Sequence, residues 1–168
     1  MTDSTDKNFN AQADFLAEVN YRLADKSDMF EVASVFRSAR LDALPYLPNL
    51  HTPEEDRQFF SDTVFKSLRV HIAARQGRIV GFIAFNDETV DHLYLLPEAQ
   101  GMGIGHQLLN IAKQCTERLQ LWTFQRNERA KRFYAKNGFK SIKETDGNDN
   151  EEKEPDVLLE WTSAVPEE

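Results

Sequence analysis

A chain of 168 residues with 40% hydrophobic and 29% charged residues suits one domain that buries roughly 70% of its unfolded surface, and no apolar run approaches the length of a membrane span. The formal net charge of −8 argues against nucleic acid or an anionic membrane surface as the main partner and favours a cationic one. A single cysteine, Cys115, leaves no internal disulfide, and His51, His71, His92 and His106 show no metal-ligand spacing, so no metal is expected. The N-terminus lacks a basic start followed by an apolar core, so it does not read as a secretory signal and a cytoplasmic location is the default expectation.

Residues 1 to about 18 are polar with scattered apolar positions and read as a frayed or mobile arm, with at most a helical turn near Phe15 to Val19. A first strand is expected near Tyr21 to Ala24. Asp28 then suits the cap of a helix over Met29 to Ala43, whose Phe30, Val32, Ala33, Val35, Phe36 and Leu41 give a broad inward face. Pro45 and Pro48 make the following stretch an irregular loop. Thr52-Pro53-Glu54-Glu55 carries three helix-start signals, and a second helix runs to about Leu68.

Three strands follow at hairpin spacing: Val70 to Arg75, Ile79 to Phe85 and Val90 to Leu96. Gly81 weakens the middle one unless a bulge or a close approach is wanted there. Beyond a glycine-rich turn, Leu108, Leu109, Ala112, Cys115, Thr116 and Leu119 share a helical face, which makes Cys115 a buried core thiol. Leu119 to Phe124 is a strand, a helix then runs to the Asn137-Gly138 stop, and Phe139 to Lys143 and Asp156 to Trp161 are the last two strands. The acidic, turn-rich D-G-N-D-N-E-E-K-E-P joins them.

The stretch Leu93 to His106, L-Y-L-L-P-E-A-Q-G-M-G-I-G-H, is a strand stopped by Pro97, a glycine-rich loop and a helix start. Gly101, Gly103 and Gly105 let an oxygen-rich ligand approach the main chain, and the first-turn N–H groups of the helix have no partners of their own. A diphosphate would satisfy those donors. Gln100 can brace the turn or donate to a phosphate oxygen. The phosphate-loop lysine pattern is absent, since Gly105 is followed by His106 and Gln107, and the alternating glycines do not make a dinucleotide fingerprint.

The pattern Q-x-x-G-x-G, with Gln100, Gly103 and Gly105 in its fixed places, resembles the coenzyme A pyrophosphate loop of the GNAT superfamily of N-acetyltransferases. Asn127 to Phe139 resembles a second pattern of that superfamily, N-x-x-A-x-x-F-Y-x-x-x-G-F, at every fixed place. The resemblance implies an α/β (α+β) fold over residues 19–165, a mixed, mostly antiparallel central sheet of about seven strands flanked by four helices. It implies acetyl-CoA as co-substrate and an amine of a small molecule or peptide as acceptor, attacked directly in a ternary complex. The coenzyme would contact the loop Gln100, Gly101, Met102, Gly103, Ile104, Gly105 and His106, the strand end Leu95 and Leu96, and Asn127.

Asn127 and Tyr134 are seven residues apart, so both point the same way on a helix, with Ala130 between them. By resemblance Asn127 meets the pantetheine arm, Tyr134 is the general acid for the leaving thiolate, and a main-chain N–H near Leu95 and Leu96 holds the oxyanion. Asp91 and His92 border the reactive carbonyl on opposite faces of their strand, and His92 has the better intrinsic pKa for a base. Tyr46, His51 and Glu54 near the first two helices, and Glu151, Glu152, Glu154 and Asp156 in the last connection, are candidate acceptor contacts. Aromatic exposure near Tyr46 suits a pocket wall or a homodimer contact equally. The competing reading is a sensor that binds acyl-CoA without turning it over.

Overall fold

Tight turns fold most of the chain into two antiparallel sheets. Strands β1 (Val19–Leu23), β2 (Arg69–Arg75), β3 (Arg78–Phe85) and β4 (Val90–Leu95) lie in the order β1-β2-β3-β4, and β5 (Arg118–Phe124), β6 (Lys140–Glu144) and β7 (Asp156–Thr162) in the order β5-β7-β6. Gln76 and Gly77 both take positive φ, 52° and 74°, the geometry that matches a two-residue turn to the twist of β2 and β3. The computed structural model describes residues 4–164. Residues 1–3 of the expected arm and the expected domain end at 165 lie outside them.

The seven expected strands and the mixed α/β architecture are present, but divided between these two sheets. Among the described residues a single parallel bridge, Thr89 to Gln120, joins them, supported by Gln120 N–H donating to the Glu88 carbonyl at 2.9 Å. Beyond that bridge β4 and β5 form no ladder, so they splay apart towards Leu95 and Phe124. The site described below occupies this gap.

Helices cover both faces: α1 (Ser4–Ala17), α2 (Met29–Ala43), α3 (Pro53–Phe59), α4 (Phe65–Ser67), α5 (Ile104–Lys113) and α6 (Glu128–Lys136). A π turn, Phe60–Val64, joins α3 to α4 and keeps both Phe60 and Val64 buried. Two cores result. One packs Leu108, Leu109 and Ala112 of α5 against Ile83, Leu119 and Leu121; the other packs Val32 and Val35 of α2 with Phe60, Ile72 and Phe82. Each such fully buried aliphatic or aromatic side chain contributes about 1.5–3 kcal/mol. Gly81 meets both conditions expected of it: β2 and β3 bulge beside it, and a Cβ there would stand 3.1 Å from Leu95 Cγ.

Several expectations need correction. The polar N-terminal arm contains α1, and Phe15 packs against the first core under Arg75, whose guanidinium lies 4.1 Å from the ring centroid. Asp28 does not cap α2; its carboxylate accepts from Arg22 at 2.7 and 2.9 Å and from Asp25 N–H at 2.7 Å. Phe30 and Leu41 are exposed, because the inward stripe of α2 is Met29, Val32, Ala33, Val35 and Ala39. Cys115 is exposed too: α5 ends at Lys113, and the chain turns before the apolar period reaches the thiol. No helix among the described residues is long and apolar enough to cross a membrane.

Candidate active site

Pro97 stops β4 and opens a short 3-10 turn, Pro97–Ala99, after which Gly101 and Gly103 take φ of +74° and +85°. These left-handed conformations are strained for any residue with a side chain. Gly103 is the N-cap of α5 and offers no capping side chain. By contrast Thr52 Oγ1 caps α3 through Glu55 N–H, and Asn127 Oδ1 caps α6 through Ala130 N–H. The Ile104, Gly105 and His106 amides at the start of α5 therefore lack the side-chain partner that the starts of α3 and α6 receive. A Cβ built on Gly101 or Gly103 would meet nothing within 4 Å, so the space before these donors is open.

Gly105 has a different reason. A Cβ there would lie 3.2 Å from the Phe133 ring and 3.3 Å from Leu95 Cδ1, so its bare Cα lets α6 pack closely on α5 and β4 rather than admitting a ligand. Ile104 is likewise a core side chain, 1% exposed, and only its main chain faces the loop. Gln100 braces the turn, its Nε2 donating to the Leu95 carbonyl at 3.1 Å.

Leu95 and Leu96 differ by strand parity. Leu96 N–H donates to the Val80 carbonyl at 2.8 Å, so it is spent on the sheet. Leu95 pairs with Gly81 one position earlier, and the alternation of an antiparallel ladder turns its N–H away from β3. With β4 at the sheet edge, that donor faces the splay.

Tyr134 lies on the other wall. It is 9% exposed, with its ring edge-on to Phe133 and Phe139 at centroid distances of 5.1 and 5.5 Å. Burial above all, and then the neighbouring Tyr94, push its phenol well above the ordinary value, so the group keeps its proton at neutral pH. Asn127, seven residues earlier, also lines the gap, and its NH2 makes no hydrogen bond among the described residues.

A network not foreseen from the sequence fixes α5 against α6. Asn137 Nδ2 donates to the Phe133 carbonyl, leaving Oδ1 to accept from His106 Nδ1 at 2.6 Å, while Asn110 Nδ2 donates to His106 Nε2 at 3.1 Å. This assigns the neutral Nδ1–H tautomer. Lys113 closes the network by donating Nζ to the Asn137 carbonyl. Arg129 and Lys136 add cationic side chains to the same cavity; their i, i+7 spacing on the Asn127 helix was the available signal.

The cavity has a volume of about 510 Å³ and runs between elements of both sheet faces, from the glycine loop and α6 to Ala39, Ala43 and Leu44 of α2. Tyr46, His51, Glu151 and Glu152 are not among its lining residues. They lie together where the β6–β7 connection meets α2 and the α2–α3 loop. Arg40 Nη2 holds Glu152 at 2.7 Å, His51 Nε2 holds Glu151 at 2.6 Å, and Arg126 holds Glu154 at 3.3 Å while stacking 3.8 Å from the Tyr46 ring centroid. Glu54 pairs with Arg57, Glu55 completes the capping box with Thr52, and Asp156 accepts from Thr145 Oγ1 and Asn150 Nδ2. His92 points to the α2 face among Phe36, Phe59, Phe60 and Tyr94. Burial there lowers its pKa to about 4 despite the opposing field of Asp91, so it is neutral at pH 7 and weakly basic.

Residues 66–141 match the family model described as acetyltransferase (GNAT) domain. Among curated protein sequences no relative matches. Solved structures share the fold. The apo form of YjaB from Escherichia coli is 20% identical, with a TM-score of 0.72 over 87% of this chain and 99% of that one. The PaiA N-acetyltransferase of Thermoplasma acidophilum, in complex with coenzyme A, is 20% identical with a TM-score of 0.65 over 86% and 98%. A ribosomal-protein-alanine N-acetyltransferase from Brucella melitensis is 17% identical with a TM-score of 0.66 over 85% and 99%.

Proposed function

We propose that this chain, which carries an acetyltransferase domain of the GNAT superfamily over residues 66–141, moves an acetyl group from acetyl-CoA to a primary amine in a ternary complex. The observation that carries the reading is the convergence on one cavity of an uncapped helix start, a strand-edge amide and a buried protonated phenol. The amides of Gly103 to His106 suit the pyrophosphate, with Arg129 and Lys136 as counter-charges. Asn127 and the free edge of β4 suit the pantetheine arm.

In the proposed reaction a neutral amine attacks the thioester carbon, and the Leu95 N–H holds the oxygen that becomes negative. As the C–S bond breaks, Tyr134 gives its proton to the thiolate and regains one from the nitrogen, directly or through water in the cavity. His92 is the weaker candidate for a base, because its aromatic surroundings hold its pKa near 4.

Free thiol release from acetyl-CoA, screened over amines and combined with calorimetry of acetyl-CoA binding, tests the reading. Tyr134→Phe is expected to lower kcat by about a hundredfold or more with little change in acetyl-CoA affinity. A wild-type rate in that variant removes Tyr134 from the mechanism. Tight acetyl-CoA binding without thiol release from any amine overturns the transferase reading in favour of a sensor.

A further inference from the structure

Two walls of the cavity can be told apart by parity. On β5, Leu119 and Leu121 belong to the core under α5, so Trp122 and Phe124 face the opposite way. On β4, Tyr94 faces the α2 side, where it meets Phe36 at a centroid distance of 5.0 Å. The acceptor half is thus lined by Ala39, Ala43, Leu44, Tyr94, Trp122 and Phe124, with no charged side chain among them. Trp122 is 50% exposed, a large apolar ring that the fold leaves half in water.

Three nearby carboxylates are already paired. Glu152, Glu151 and Glu154 are held by Arg40, His51 and Arg126. Asp91, the acidic residue that lines the cavity among the described residues, keeps its charge while accepting from Thr89 Oγ1 at 2.6 Å, but it shares the face of Leu93 and Leu95, away from Tyr94 and the acceptor half. A second ammonium on the acceptor would enter an apolar recess with no carboxylate on its own wall, which is unfavourable, whereas a ring or alkyl chain would remove Trp122 and Phe124 from water.

Resting on the acetyltransferase reading above, we infer that the acceptor is a primary monoamine on an aromatic or alkyl body, selected by Trp122, Phe124 and Leu44 and not by the acidic β6–β7 connection. The overall charge of −8 then draws the cation towards the protein, and the recess decides which amines stay.

The test compares 2-phenylethylamine, tryptamine and hexylamine with spermidine and a polar tripeptide, by thiol release and by calorimetry on the CoA-saturated protein. The monoamines are expected to exceed spermidine and the tripeptide in kcat/KM by about tenfold or more. Trp122→Ala is expected to raise KM for 2-phenylethylamine about tenfold, Trp122→Phe to retain most of the affinity, and Glu151→Gln to leave that KM unchanged. Preference for spermidine or the peptide overturns the inference while leaving the transferase reading intact, as does a KM that responds to Glu151→Gln and not to Trp122→Ala. Trp122-dependent binding of 2-phenylethylamine to the CoA complex without turnover of any amine overturns the transferase reading and the acceptor inference with it. Failure of the monoamines both to bind and to react overturns the inference.

Discussion

On the α5 and α6 side of the cavity the groups proposed to hold the coenzyme are main-chain amides and side chains of one short helix, whereas beside α2, outside the cavity lining, the polar groups are side-chain pairs drawn from distant parts of the chain. The first set arises within short stretches: a glycine N-cap, the turn before it, and Asn127 seven residues from Tyr134. The second depends on tertiary closure, with Arg40 and Glu152 separated by 112 residues. The difference teaches that the proposed donor site is a local property of the backbone, while the ion pairs beside α2 are assembled only once the β6–β7 connection has folded onto that helix.

The largest expected effect that sharpens this contrast is a pH dependence confined to the α2 face. The folded pKa of His92, about 4, lies below its ordinary 6.5, so the unfolded chain binds the proton more readily in that window. The contribution is fully present above about pH 6.5 and is lost as pH falls towards 4, by on the order of 3 kcal/mol. Urea denaturation of wild type and His92→Phe at pH 7.5 and 4.5 measures it. The gap between the two proteins should move in favour of the variant at the lower pH, and a constant gap contradicts the burial argument.

Arg40→Ala leaves the Glu152 carboxylate, with 18% of its side chain exposed, without its partner and should cost about 2 kcal/mol, less than a fully buried pair because water still reaches it. Adding Glu152→Ala should recover part of that loss in a double-mutant cycle. Acetyl-CoA affinity, which belongs to the other face, should stay as it was. On that other face, Gly103→Ala forces a side chain to φ +85°, a strain of about 1–2 kcal/mol; calorimetry should show acetyl-CoA binding weakened about tenfold, and an unchanged affinity would detach the loop from the coenzyme. Thr52→Ala removes the cap of α3 and should lower stability by about 1 kcal/mol with no change in coenzyme binding.

Much of this organisation could be read before the coordinates, where local chemistry decides. The hairpin turns gave β2, β3 and β4 to within a residue, and Thr52-Pro53 and Asn137-Gly138 marked helix limits correctly. Failures cluster where a local pattern was carried past its end or where distant residues meet. Cys115 fits the apolar period of α5, but no glycine or proline announces that the helix stops at Lys113. Gly105 sits among loop glycines yet answers to Phe133, 28 positions away by sequence number. His106 looked like a loop residue, and its hold on Asn137 depends on how α5 and α6 cross. Glu151 and Glu152 were legible as acidic residues of the last connection, but their pairing with His51 and Arg40 was not.

The parity of β4 has an evolutionary corollary. Val80 claims the amide of Leu96 and nothing in the sheet claims that of Leu95, so folding and the proposed chemistry draw on alternate links of the same strand without competing. A donor of this kind belongs to no side chain, and apart from proline no replacement at position 95 can delete it. Such a centre tolerates wide drift in the side chains around it while its proposed working atom stays in place.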